Sequence, residues 1–274
     1  MIHLSSFHLT EREVANPNIY PYHVFAKKED RHIRFDHITI FYGGNASGKS
    51  TLLNIMANTL GLEGKEYATC NKYGRERYFE RFIRECSYVL GEDEEGNSYQ
   101  SIPVGSRYVK SEDILYEIKK IQQETVLQEG YIYEQVRKGM SKQQKEELTG
   151  SKKMWNEIEI LKFAQEKYSN GETTLQMLLD YLRPDALYLL DEPEVSLSPT
   201  NQVLLAQEIN TLARFLNCQF IISTHSPFLL GTLNARIYNL DGRDFDTVTW
   251  TELENVLFYY KFFKDREKEF KGEI

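Results

Sequence analysis

The sequence predicts an α/β fold with a mainly parallel core sheet, and three observations predict it. Leu187-Tyr188-Leu189-Leu190 and Phe220-Ile221-Ile222-Ser223 are short, nearly continuous apolar runs, the pattern of strands buried on both faces. An amphipathic stretch, Asn201–Leu216, lies between them, so strand, helix and strand alternate as a parallel sheet requires. A third apolar run, Ile38–Tyr42, leads into Gly43-Gly44-Asn45-Ala46-Ser47-Gly48-Lys49-Ser50 and then a helical stretch, Thr51–Ala57. That octet is G-x-x-x-x-G-K-[ST], a phosphate-binding loop in its strand-to-helix context.

From the N-terminus, short strands are expected around Leu4–Leu9, Tyr22–Ala26, Ile33–Phe35 and Ile38–Tyr42, with turns at Asn16-Pro17-Asn18 and Lys28-Glu29-Asp30. Residues 61–110 read as irregular, apart from a candidate strand at Cys86–Leu90. The acidic run Glu92–Glu95 ends at Gly96-Asn97 and reads as a solvated hairpin tip. Helical spacing of Ile114, Leu115, Ile118 and Ile121 predicts a helix over 112–128, and a second helical region spans 141–167. Thr173–Leu182 is expected as an amphipathic helix, with Leu175, Leu178, Leu179 and Leu182 on one face. In Asn201–Leu216 the inward set is Val203, Leu204, Ile209, Leu212 and Leu216. From Thr251 the tail reads as a helix with a stripe of Leu253, Val256, Leu257 and Tyr260. No heptad repeat is sustained, which excludes a long coiled-coil arm.

Composition bounds the function. The chain has 274 residues, 41% hydrophobic and 27% charged, ordinary for a globular protein. A net charge of -8 argues against a broadly nucleic-acid-attracting surface, though not against a local basic groove. No apolar run is long enough to span a bilayer and no signal peptide is evident, so a cytoplasmic protein without direct membrane insertion is expected. Cys70, Cys86 and Cys218 show neither metal-ligand nor disulfide-framework spacing and read as reduced thiols.

The loop carries the chemistry. Gly43 and Gly48 let the backbone turn its N–H groups toward one point, and the following helix start adds orphan N–H groups and partial positive charge. Gly43, Gly44, Asn45, Ala46, Ser47, Gly48, Lys49, Ser50 and Thr51 are therefore the candidate nucleotide-binding residues. Lys49 would reach the β- and γ-phosphates, the Ser50 hydroxyl would ligate Mg²⁺, and Thr51 would reach the α-phosphate. Downstream, Asp191-Glu192-Pro193 ends a buried strand with two acids, which need metal or water there. Asp191 is the second candidate Mg²⁺ residue, largely through the ion's water shell. Glu192 is the candidate general base for an attacking water. His225 leaves the next strand at the same expected sheet edge and is the candidate γ-phosphate contact. Tyr168-Ser169-Asn170-Gly171-Glu172 precedes the Leu-rich helix, with Ser169 a potential cap.

Taken together, these motifs resemble the ABC-type ATPases. Gly43–Ser50 looks like Walker A, Tyr168–Glu172 like a degenerate signature motif, Leu187–Glu192 like Walker B, Glu194–Pro199 like the D-loop, and His225 like the switch histidine. Glu172 in the signature, Asp191-Glu192-Pro193-Glu194 and Leu197-Ser198-Pro199 are similar to the small stand-alone bacterial ATPases of the RecF/SMC-like class. Ala46 replaces a glycine that many relatives carry, and Ser198 stands where transporters have an Asp. Arg107–Glu112 occupies the Q-loop region, with Glu112 in place of the usual Gln; Tyr20, Tyr22 and Phe25 are the candidates for stacking on adenine, although an aromatic in a strand is more often core. The resemblance implies one ABC-type domain over 1–274, with core 1–60 and 168–250, an insertion over 61–167 and a C-terminal helix over 251–274. It also implies ATP with Mg²⁺, hydrolysis, and a homodimer in which Ser169 and Gly171 of one chain cap ATP on the loop of the other. The implied role is a mechanochemical or regulatory ATPase acting on DNA or on a partner effector protein, in phage defence or DNA maintenance. The alternative is the ATP-binding subunit of a membrane transporter.

Overall fold

The structure is a computed structural model that describes residues 1–16, 18–66, 78–92, 95–117 and 171–273. Its main sheet has six strands: β3 (Ile38–Tyr42), β5 (Arg107–Lys110), β6 (Leu187–Asp191), β7 (Gln219–Ser223), β8 (Arg236–Asn239) and β9 (Asp246–Thr247). Their order is β5-β6-β7-β3-β8-β9; all neighbours run parallel except the β8–β9 pair. Every residue of β3, β6 and β7 is buried, so their apolar runs carry no polar alternation. A second, antiparallel sheet joins β1 (Leu4–His8), β2 (His32–Arg34) and β4 (Ser87–Leu90) in the order β2-β1-β4.

Because side chains alternate across a strand, the main sheet divides the interior in two. One face carries Ile38, Ile40, Tyr188, Leu190, Phe220 and Ile222. It is covered by α4 (Gly171–Tyr181), α5 (Pro199–Phe215), α6 (Pro227–Thr232) and the start of α7 (Glu254–Asp265). The other carries Phe41, Leu187, Leu189 and Ile221, covered by α1 (Tyr22–Phe25), α2 (Lys49–Leu60), α3 (Tyr78–Glu85) and the antiparallel sheet. The helix that follows the phosphate-binding loop and the helix that follows the signature-like segment thus lie on opposite faces.

Several expectations need correction. Tyr22–Ala26 is not a strand: Tyr22–Phe25 is a short helix that buries Tyr22 and Phe25, three residues apart, against Phe82. The range 61–110 is more regular than its composition suggests. It holds α3, where Phe79 and Phe82 supply the buried face, and β4 and β5, which pair with β1 and β6. Two sheet strands therefore lie inside the range expected as an insertion. In α5 the buried residues are Leu205, Ala206, Ile209 and Ala213, while Leu204 and Leu216 are exposed. In α7 only Val256 is buried; Leu257 and Tyr260 face solvent with Phe258, Tyr259 and Phe263. Residues 111–117 are helical with Ile114 buried, as expected; Ile118, Ile121, the 141–167 region and Cys70 lie outside the described residues. Glu92 bridges Ser98 around Gly96, consistent with a hairpin tip.

Candidate nucleotide-binding site

Parallel strands present their C-terminal ends together. The loop after β3, Asp191 and Glu192 at the end of β6, and His225 just past β7 therefore meet at one edge of the sheet. Registry fixes the meeting, since Phe41 pairs with Ser223 and Ser223 with Asp191.

The loop is built for an anion. Gly48 precedes α2 at φ 94°, a left-handed backbone, and a Cβ there would lie 2.5 Å from the Val24 Cγ1. No side chain caps α2, so its first N–H groups are left for a ligand. Lys49 is buried, and its ammonium donates to the carbonyls of Gly43 at 2.9 Å and Gly44 at 3.2 Å. Burial lowers its pKa, opposed by Glu192, Asp191, Asp241 and Glu194. A cation held by neutral carbonyls inside an otherwise anion-ready loop is matched by incoming phosphate oxygens. Ala46 sits at φ 66°, so the alanine adopts the left-handed backbone that glycine holds most easily.

Asp191 is the hub. Its Oδ1 accepts from the Ser50 hydroxyl at 3.1 Å and from the Ser223 hydroxyl, and its Oδ2 from the Tyr108 phenol at 3.0 Å. Burial, then the charge of Asp191, pushes the Tyr108 phenol up, which keeps it a donor. Ser50 and Asp191 thus place two hard oxygen donors side by side, a set that fits Mg²⁺ completed by phosphate and water oxygens. Among the described residues no group of three or more His, Cys, Asp and Glu could hold a metal ion by itself.

Glu192 has φ 48°, an uncommon backbone for a glutamate and one that turns the chain sharply at the strand end. Its Oε1 lies 3.7 Å from His225 Nε2. Burial, then the nearby Lys49 ammonium, lowers the His225 pKa, so the ring is neutral at pH 7. The His225 N–H donates to Glu194 Oε1 at 2.8 Å, and Asn255 Nδ2 donates to the His225 carbonyl at 2.8 Å. Ser198, in the D-loop-like segment, is the N-cap of α5. A cavity of about 770 Å³ borders His225 on the α7 side, walled by Phe228, Trp250, Tyr259 and Phe263; it lies beside the cleft between loop and acids.

Lys49, Ser50, Asp191, Glu192 and His225 are therefore brought together as the sequence predicts. Gly171 opens α4, and Ser169 lies outside the described residues. Tyr22 and Phe25 are core residues and do not offer a face to adenine; Tyr20 is partly exposed, its ring stacked on Phe79. Glu112 is exposed, and it is Ser111 whose hydroxyl reaches the Glu192 carbonyl. Tyr108, Ser223 and Asp241 carry no signal of a site role in the sequence, whereas Glu194 opens the D-loop-like segment and is placed by the structure on the His225 backbone N–H. Ser223 and Tyr108 become legible only once strand register shows which residues flank Asp191.

Strand order, loop and acid pair define a P-loop α/β domain whose motifs are similar to those of the ABC-type ATPases of the RecF/SMC-like class. Residues 105–231, slightly under half of the chain, match the family described as "AAA domain, putative AbiEii toxin, Type IV TA system". The "Chromosome condensation protein dpy-27" of Caenorhabditis elegans is 31% identical over 137 residues, 45% of this chain; the chain spans only 9% of that relative's length. Among solved structures, the Smc head domain of Pyrococcus furiosus bound to the C-terminal domain of ScpA is 13% identical with a TM-score of 0.44, covering 95% of this chain and 100% of that one. A nucleotide-free ATP-binding cassette from an ABC transporter is 15% identical with a TM-score of 0.43, covering 94% and 95%.

Proposed function

We propose that the protein binds and hydrolyses ATP with Mg²⁺, and that ATP joins two copies of the chain. The observation that carries this is the convergence of Lys49, Ser50, Asp191, Glu192 and His225 at the C-terminal edge of β3, β6 and β7. The free N–H groups of the loop and of the uncapped start of α2, with the Lys49 ammonium, take the phosphates, exchanging two carbonyl partners of the lysine for charged ones. Ser50 and Asp191 hold Mg²⁺, which neutralises phosphate charge when bound. Glu192 orients and deprotonates the attacking water, and neutral His225 beside it contacts the γ-phosphate. With the phosphates fixed, positioning supplies most of the acceleration.

Sharing of the site between copies is supported by the placement of α2 and α4 on opposite faces of the sheet. Gly171 at the start of α4, and Ser169 two residues before it in the sequence, would then reach a γ-phosphate on a partner chain. ATP would be part of the interface, and its cleavage would loosen it. The closed pair acts on DNA or on an effector protein. No helix among the described residues is long and apolar enough to cross a membrane.

The test is a set of ATPase assays. Wild type should release phosphate, Glu192→Gln should lose at least about 100-fold in turnover while retaining ATP, and Lys49→Ala should lose binding. Mixing inactive Lys49→Ala and Ser169→Arg chains should restore activity at one intact composite site. Equal turnover by wild type and Glu192→Gln would refute the base assignment, and an inactive mixture would refute capping between chains.

A further inference from the structure

Beside the loop lies a second charged pair that none of the roles above uses. Both carboxylate oxygens of Asp241 accept the Gly44 N–H, at 2.8 and 2.9 Å. A Cβ built on Gly43 would lie 3.2 Å from Asp241 Oδ1, so the carboxylate is packed against the backbone of both glycines that open the loop. Asp241 lies two residues past the end of β8; the N–H of the intervening Leu240 is held by the Tyr42 carbonyl at 2.7 Å, and the Asp241 N–H by Asn239 Oδ1 at 3.0 Å. The turn is thereby tied to the strand that feeds the loop.

An anion there poses a problem, because the site must receive a triphosphate. The Asp241 charge reaches it: the carboxylate acts on both Lys49 and His225, favouring their charged forms. Lys28 answers it from the far end of the N-terminal region. It is buried, and its ammonium donates to the carbonyls flanking Asp241, Leu240 at 2.9 Å and Gly242 at 2.6 Å. Its charge faces Asp241, Asp244 and Asp246, and it lies 5.1 Å from the centre of the Phe245 ring. The neighbouring backbone reinforces the contact, with Glu29 N–H on the Arg243 carbonyl and Asp30 N–H on Asp244 Oδ1, each at 3.1 Å. A lysine buried against two carbonyls needs such acidic company to remain charged.

We infer that Asp241 and Lys28 form a brace for the nucleotide: Asp241 positions the Gly44 amide and so the first turn of the loop, and Lys28 shields bound phosphates from the Asp241 charge. Both are positioning residues, and the inference rests on the reading of residues 43–51 as the triphosphate cradle.

Calorimetric titration of the full chain with MgATP and MgADP, at low and high salt, tests it. Wild-type binding is the reference; its absence would overturn the cradle itself. Asp241→Ala should weaken MgATP about tenfold, through loss of a hydrogen bond to a charged acceptor. Asp241→Asn keeps one acceptor oxygen without the charge and should bind within about threefold of wild type. Lys28→Met leaves the carboxylate uncompensated. It should weaken MgATP more than MgADP, with a deficit that shrinks at high salt, and adding Asp241→Asn should recover part of the loss. If Lys28 served only to hold the fold together, the double variant would bind no better than Lys28→Met and both nucleotides would suffer alike. Either that pattern, or wild-type affinity in Asp241→Ala, would overturn the inference while leaving the cradle in place.

Discussion

Ala46 holds φ at 66° in the middle of the phosphate-binding loop, where a left-handed backbone costs an alanine about 1–2 kcal/mol. Glycine would remove that cost but give the unfolded chain back roughly 0.4–1 kcal/mol of freedom. Ala46→Gly is therefore expected to stabilise the fold by up to about 1.6 kcal/mol, read as a urea midpoint at or above that of the wild type; a lower midpoint would contradict the strain. His3 makes a different prediction. Its ring is buried, with Nε2 on the Asn217 carbonyl at 2.7 Å, and burial lowers its pKa, against the pull of that carbonyl and of Asp185. As the pH falls through the ordinary histidine value of 6.5, the unfolded ring takes up a proton before the folded one does. The unfolded state then binds more protons, so this stability is present above that pH and is lost as the pH drops. Thermal melts at pH 7.5 and 5.5 should show a smaller acid loss in His3→Gln than in wild type; equal losses would assign the acid sensitivity elsewhere. At this scale the loop, Asp191, Glu192 and His225 could be read from residue type and spacing. Asp241 could not, because its partner Gly44 is 197 positions away and only the β3–β8 pairing joins them.

Elements divide in the same way. Strands β3, β6 and β7 were legible because burial on both faces leaves an apolar run no other fold position tolerates so well. The facing of α5 was not. It is apolar on more than one side, and the sheet takes the side bearing Ala206 and Ala213, whose small side chains permit close approach, with Leu205 and Ile209 beside them. Leu205→Ala is accordingly expected to cost about 2–5 kcal/mol, whereas exposed Leu204→Ala should stay within about 0.5 kcal/mol. Guanidinium unfolding of the two variants checks this, and a larger cost for Leu204→Ala than for Leu205→Ala would contradict this facing of the helix. The short helix at Tyr22–Phe25 was misread as a strand because four residues hold too little of either period to tell them apart. The strand β5 was hidden by its flanks: Arg107 and Lys110 are partly exposed and pair with Glu63 and Glu66, so only Tyr108 and Val109 carry the apolar signal.

For the whole molecule, the decisive arrangement is the separation of α2 and α4 by the main sheet. A loop on one face and a signature-like helix start on the other suit a site completed by a second copy, with the nucleotide between them. On the proposed function, nucleotide would act as a ligand of the dimer and shift its equilibrium by mass action. Sedimentation velocity of Glu192→Gln, with and without saturating MgATP, measures that coupling directly. A single monomer boundary is expected without nucleotide, and a dimer with one ATP per chain when it is added, reversed by Lys49→Ala in the same background. A Glu192→Gln chain that binds ATP and sediments as a monomer at every protein concentration would contradict it.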